Sequence, residues 1–276
     1  MKIVTPLATL FLAAATVVLP FAPPGAKAQD VGKKAPRPLR ALYITGGCCH
    51  DYQNQKTIIS EGISSRARVE WTIVHEGGTS SDHRVSVYSI PNWTEGYDVI
   101  VHNECFSAIT DKDFIDKVIA PHRDGLAAVV IHCAMHTFRD LKSDEWRDFL
   151  GVTTRRHGPQ QPLDVKNLQP DNPIMKGFPS VWTTGKEELY AIEKVWPGTV
   201  PLAQAYALDN KMDHAVIWTH EYGKGRVFGT TLAHNNATMQ DPVYMEMLTR
   251  GLLWACGKLG DDGKPIPGYE AAGAKK

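Results

Sequence analysis

The stretch that decides the fold is "GLAAVVIHCAMHTF", residues 125–138. Its apolar run reads as a buried strand that stops abruptly at His132-Cys133, and His136 follows one helical turn later. The end of such a strand can carry a nucleophilic cysteine, present metal-binding imidazoles, or do nothing beyond packing. The choice depends on what the rest of the chain places beside it.

Working outward, "LRALYIT" (39–45), "VEWTIVH" (69–75) and "YDVIVHN" (97–103) read as three further strands. "QNQKTIISEGIS" (53–64) has helical character. "TDKDFIDKVIAPH" (110–122) reads as a helix with Thr110 as N-cap and Asp113 completing a capping box. Strands alternating with helices predict an α/β fold: a mostly parallel sheet with helices on both faces. The second half is less regular. "LDVKNLQ" (163–169), "EELYAIE" (187–193) and "TVPLAQAYA" (199–207) are short strand candidates, and residues 213–233 form a hairpin turning at Gly223-Lys224-Gly225. A closing helix starts with Asp241 as N-cap and Pro242 at its first position, and runs to about Cys256.

Lys2, an apolar run from Pro6 to Phe21 and the small residues around Ala26-Lys27-Ala28 have the pattern of a cleaved secretory signal. The expected organisation is a signal peptide over 1–28, a flexible leader over 29–38, one domain over 39–258 and a flexible tail over 259–276. The expected location is outside the cytoplasm, in the periplasm, with no membrane attachment after cleavage. The 30 basic residues balance the 30 acidic ones, and losing Lys2 and Lys27 takes the net charge to −2. A near-neutral chain without basic clusters lacks the footprint of a nucleic-acid or membrane-surface binder. A small, polar, uncharged or weakly charged ligand is the better default. The pattern G-x-G-x-x-G is absent, so no nucleotide cofactor is expected, and Gly46-Gly47 reads as a tight turn. Five cysteines, an odd number without zinc-knuckle spacing, leave at least one thiol free or paired between chains. A bridge from Cys48 or Cys49 to Cys105 would need spatial proximity.

In open parallel sheets, ligands sit beyond the carboxyl ends of the strands. Five strand ends here carry a histidine: His50, His75, His102, the pair His132 and His136, and His234. Imidazoles at such a crevice suit proton transfer near neutral pH or coordination of zinc-like metals. If a helix begins just past the strand, His132 and His136 face the same side, and Glu104 with His50 or His234 completes a site. His83, His122 and His214 are read as surface, His220 as hairpin surface, and His75 as a structural residue at the sheet edge.

"LYITGGCCHDY", "AAVVIHCAMHTF", "RRHGP", "NPIMKGFPSVWTTGKEELY", "AVIWTHEYGKGRVFGTTLAHN" and "DPVYMEMLTRGLLWACGK", in that order, resemble the ThuA-like (trehalose utilisation) family over about residues 39–258. The resemblance implies a flavodoxin-like fold akin to class I glutamine amidotransferases. It also implies a role in disaccharide catabolism, including 3-keto-glycosides made by a partner sugar oxidoreductase. Laid on the amidotransferase elbow, "AVVIHCA" puts His132 at the nucleophile's place, and Cys133 stands where the family usually has Ala. Asn172 stands where the family often has His.

The resulting expectation is a carbohydrate-processing enzyme with Glu104, His132 and His234 as catalytic groups. Asp51, Asn103, His157, Glu188 and Asn235 would contact the sugar, and Trp182, Tyr190 and Trp196 are candidates for stacking on it. A divalent metal, zinc or manganese, fits a donor set of His50, His132 and His136. The chemistry would be of lyase, hydrolase or isomerase type, and a homo-oligomer is compatible with it. Two alternatives stay open: a cysteine hydrolase using Cys133, and a non-catalytic sugar-binding module.

Overall fold

A computed structural model describes residues 36–273. The signal peptide and most of the leader lie outside them. Among the described residues no helix is long and apolar enough to cross a membrane.

Nine strands form one sheet, interleaved with five helices: β1 (Leu39–Gly47), α1 (Tyr52–Ser64), β2 (Val69–Glu76), β3 (Val99–Cys105), α2 (Lys112–Arg123), β4 (Ala127–Ile131), α3 (Glu145–Leu150), β5 (Val152–Asn167), β6 (Val181–Val195), β7 (Thr199–Ala207), β8 (Met212–Tyr222), β9 (Gly225–Thr230), α4 (Asn236–Gln240) and α5 (Pro242–Ala255). The strand order is β2-β1-β3-β4-β9-β8-β7-β5-β6. From β2 to β9 every pairing is parallel. From β9 to β6 every pairing is antiparallel. The expected mostly parallel sheet is therefore corrected to a mixed one. The cause is connection length: β8 and β9 are joined by the two residues Gly223 and Lys224, a link that only antiparallel neighbours allow.

Apart from the half-exposed edge strand β2, the parallel half is buried on both faces, which is why its strands carry continuous apolar runs rather than alternating. Ala41, Tyr43, Val99, Val101, Val129 and Ile131 pack with Ile59 and Ile63 of α1 and Tyr244, Leu248 and Leu252 of α5. Leu42, Ile44, Ile100, Ala128 and Val130 turn the other way, onto Ile115, Val118 and Ile119 of α2 and Trp146 and Phe149 of α3. The cap of α2 falls on Asp111, whose side chain accepts from the Phe114 amide, so the box expected from Thr110 does not form. Asp241 caps α5 as expected.

The least anticipated element is the pairing of β5 with β6, 16 and 15 residues long. Gly158, Pro159 and Pro162 read as loop residues, but the pairing tolerates them through four register shifts. β5 meets β7 only at Lys166 and Asn167, so the remainder of β5 and β6 leaves the sheet as a two-stranded ribbon. The segment after α5, expected as a flexible tail, is tied down instead. Tyr269 packs on the core, its carbonyl accepts from the Arg68 amide, and Glu270 bridges to Ala67.

Gly46 and Gly47 form the turn leaving β1, with φ of 130° and 94°. A Cβ at Gly46 would collide with the Glu76 carbonyl oxygen of β2. Gly46→Ala should therefore destabilise the domain by more than about 2 kcal/mol. A urea-unfolding midpoint equal to the parent's would contradict this account of the turn.

Candidate functional site

Three turns at the carboxyl ends of β1, β4 and β9 each force a side chain inward through left-handed backbone. Cys49 has φ 88° just before His50, His132 itself has φ 45°, and Ala233 has φ 79° just before His234. Non-glycine residues there are uncommon and cost roughly 1–3 kcal/mol. Half of the six such residues among those described surround this one spot. The elbow position that strains the backbone is thus His132 rather than Cys133.

His50, His132 and His234 each offer a ring nitrogen to a common point, with those atoms all within 4.8 Å of one another. The His132 Nδ1–H donates to the Thr231 carbonyl at 2.6 Å, which turns Nε2 toward Glu188. The Nδ1 of His50 is buried without a partner. Burial, followed by the proximity of His132 and His234, pushes the His50 imidazole down to about 3, so it is neutral at ordinary pH.

The ribbon supplies the charge. Glu188 on β6 places Oε2 3.3 Å from His234 Nδ1, 3.5 Å from His157 Nε2 and 3.6 Å from His132 Nε2. Burial acts to raise its pKa, but the contacts with His132 and His234 outweigh it and hold Glu188 well below the usual carboxylate range. The same contact with Glu188, opposed by burial, raises the pKa of His234. The adjacent Glu187 points the other way along the strand and accepts from the His234 amide at 2.9 Å. Gln160 on β5 sits 2.8 Å from His234 Nε2. The cleft encloses about 120 Å³, with Cys48, Cys49, Cys105, Cys133, His136, Arg139 and Tyr190 completing its walls. A more open depression of about 470 Å³ adjoins it across His50 and His234, and Asp51, Asn235 and Asn236 line it.

Several expected site residues land elsewhere. His136 is not a third member of the triad, and His234 takes that place. The segment His132–His136 is a 3-10 turn, in which residues three apart eclipse and residues four apart diverge. His136 instead stacks on Tyr190, ring centroids 4.3 Å apart. Burial, then Arg139, pushes its imidazole down to about 3. Glu104 is fully buried away from the cleft, because strand alternation sends it with Ile100 and His102 toward α2 and α3. Its Oε1 accepts from Tyr88 at 2.8 Å and lies 2.9 Å from His102 Nδ1. Asn103 is also buried and donates to Tyr43 and to Gln55, a layer beneath the site. Asp51 and Asn235 are the N-caps of α1 and α4. Asp51 also accepts from Asn236, which ties the β1 turn to the β9 turn. His157 and Glu188 do face the cleft.

Other expectations change too. His122, His214 and His220, read as surface, are buried. His122 lies on the inner side of α2 against His102, His214 accepts from the Ile192 amide, and His220 contacts Thr199. His75, at the β2 edge, touches only Lys56 among its polar neighbours. Trp182 is core, and Trp196 donates to Thr153. Asn172 caps a short 3-10 turn. Cys48 pairs with Cys49 rather than with Cys105. Cys133 is buried, and contact with Cys105, then burial, pushes its thiol well above the ordinary value, which disfavours a thiolate nucleophile. Sequence reading missed Gln160, Glu187 and Arg139 as cleft neighbours. Gln160 and Glu187 sit on the ribbon, whose pairing no local signal announces.

A family model for ThuA, trehalose utilisation, matches residues 42–255. Among solved structures, a ThuA-like protein of Parabacteroides merdae superposes with TM-score 0.60 at 20% identity, covering 81% of this chain and 92% of that one. A ThuA-like protein of Bacteroides uniformis gives 0.62 at 15% identity, covering 85% and 98%. At these identities the likeness is one of fold. No curated protein matches the sequence significantly.

Burial, then His102, pushes His122 down to about 3, whereas an unfolded imidazole titrates near 6.5. Between those values the unfolded chain binds a proton that the folded chain refuses, so stability should fall as pH drops through that window. His50 and His136 act in the same direction. His122→Asn should make the melting temperature less steep between pH 6.5 and 4 than the parent's, and an unchanged slope would refute the assignment.

Proposed function

The chain belongs to the ThuA, trehalose utilisation, family, and from that premise we propose that it is an exported carbohydrate-processing enzyme acting on 3-keto-glycosides by metal-assisted acid–base chemistry. The observation that carries this reading is the triad of His50, His132 and His234 facing the Glu188 carboxylate. Three imidazoles with one carboxylate beside them suit an open metal site that keeps a position for substrate. Two features support the fit: the unpartnered buried Nδ1 of His50, and the Thr231 carbonyl that fixes His132 in one tautomer.

When bound there, a divalent ion such as zinc or manganese supplies Lewis acidity to a sugar carbonyl or hydroxyl oxygen. The triad holds it. Glu188, ionised and without an Arg or Lys partner among the described residues, is the proton acceptor, where the sequence reading offered Glu104 or a histidine. A keto group at C3 acidifies the proton on C2, so Glu188 can take that proton without any covalent nucleophile. His157, half-exposed and 3.5 Å from Glu188, passes it toward solvent. Elimination, hydration or isomerisation next to the carbonyl follows from this one step. The substrate requires a separate oxidoreductase that converts a glycoside hydroxyl to the ketone. The apolar segment from Pro6 to Phe21 supports export to the periplasm.

Elemental analysis of the purified protein should find about one equivalent of zinc or manganese, lost in His132→Ala and in His234→Ala. Incubation with 3-keto-trehalose or 3-keto-glucosides, followed by NMR, should show turnover that a chelator removes and the metal restores. Glu188→Gln should keep the metal and lower kcat by roughly 10²–10⁴-fold. Calorimetric sugar binding without turnover and without metal would instead identify a binding module.

A further inference from the structure

One wall of the cleft is built of sulfur. Cys48 and Cys49 are joined by a disulfide between adjacent residues, Cys105 Sγ lies 3.8 Å from Cys48 Sγ, and Cys133 Sγ lies 2.7 Å from Cys105 Sγ. The four line the same cavity as His50 and His234. Cys256, the fifth cysteine, lies outside this cavity lining and packs against the core beneath the sheet.

We infer that Cys105 and Cys133 form a second disulfide in the mature protein, a covalent staple between the end of β3 and the turn that carries His132. Two unbonded thiols do not sit 2.7 Å apart without crowding, and that separation is within an ångström of the roughly 2.05 Å of a disulfide. β3 and β4 are parallel neighbours with His102 opposite Val130, and Cys105 at the end of β3 and Cys133 in the turn just past β4 come three residues further along each chain. Both thiols are buried, and the Cys133 thiol donates to the Cys105 sulfur. Bond formation removes both S–H groups.

Closure needs an oxidant, and a small disulfide such as oxidised glutathione suffices. The Cys105 thiolate attacks one glutathione sulfur, breaks the glutathione S–S bond and expels one glutathione thiolate. The Cys133 thiolate then attacks Cys105 Sγ and expels the second. The two cysteine protons leave with the two reduced glutathione molecules, and the pair of cysteines has lost two electrons. The wall then presents four sulfurs and no thiol, so a ketone in the cleft meets no nucleophile that would trap it. The staple also closes a loop whose ends are 28 positions apart in sequence and fixes the strained turn at His132. The inference stands on the sulfur geometry and does not depend on the proposed activity.

The test is a disulfide map of the full chain after equilibration with oxidised glutathione, with free thiols alkylated under denaturing conditions before tryptic digestion. Peptide 85–112, which contains Cys105, should be found linked to peptide 124–139, which contains Cys133. Peptide 41–56 should carry its own internal bond, and Cys256 alone should be alkylated. Alkylated Cys105 and Cys133, or a link between peptides 41–56 and 85–112, would overturn the inference. Independently, Cys133→Ala should melt roughly 5–10 °C below the oxidised parent. That gap should close when both proteins are reduced with dithiothreitol, because the Cys48–Cys49 bond is common to both. A gap that survives reduction would be packing alone and would count against the staple.

Discussion

Left-handed backbone at Cys49, His132 and Ala233 is the constraint on which the site depends. Each of these residues would relax toward ordinary φ values if its flanks were free, and the histidine it carries would swing away from the other two. The flanks are not free. β1 and β4 are covered on both faces by helices, and the pairings β1–β3–β4–β9 leave no edge along which a turn could slip. Tight packing of the parallel half therefore offsets local strain of roughly 1–3 kcal/mol per turn and turns it into a fixed convergence of three rings.

The antiparallel half does different work. It adds Leu163, Val165, Leu202 and Val216 to the core, and its ribbon of β5 and β6 arches over the strand ends and brings the charged group that the imidazoles lack. Glu187 and Glu188 show how economical the arrangement is. Adjacent on one strand, they point to opposite sides: one secures the His234 backbone, and the other meets the rings of His132, His157 and His234. The four register shifts in the ribbon bend it enough to reach across, which a regular pair of that length would not do.

Much of the parallel half was legible in the sequence, because apolar strands, their helical partners and the histidines at their ends are local signals. The choice of acid was not. Glu104 ends the apolar run of β3 and Glu188 begins one in β6, but only alternation counted from a known strand start shows that Glu104 shares the face of Ile100 and His102 and is buried. His136 was misplaced for a related reason: a spacing of four means one face in an α-helix and divergent faces in a 3-10 turn, and five residues do not reveal which will form. The ribbon itself was hidden by Gly158, Pro159 and Pro162, which mark loops unless bulges absorb them. The partners of a strand 30 residues away leave no local trace.

Arg68, at the start of β2, donates its guanidinium to the Pro36 carbonyl and its amide to the Tyr269 carbonyl. Arg37 pairs with Asp98 at the foot of β3. Both ends of the described chain are thereby moored at the amino ends of the parallel strands, the side of the sheet opposite the cleft. An attachment made at Pro36 or Tyr269 themselves would lie across the sheet from the cleft. The arrangement leaves the site accessible in an immobilised protein without any redesign of its loops.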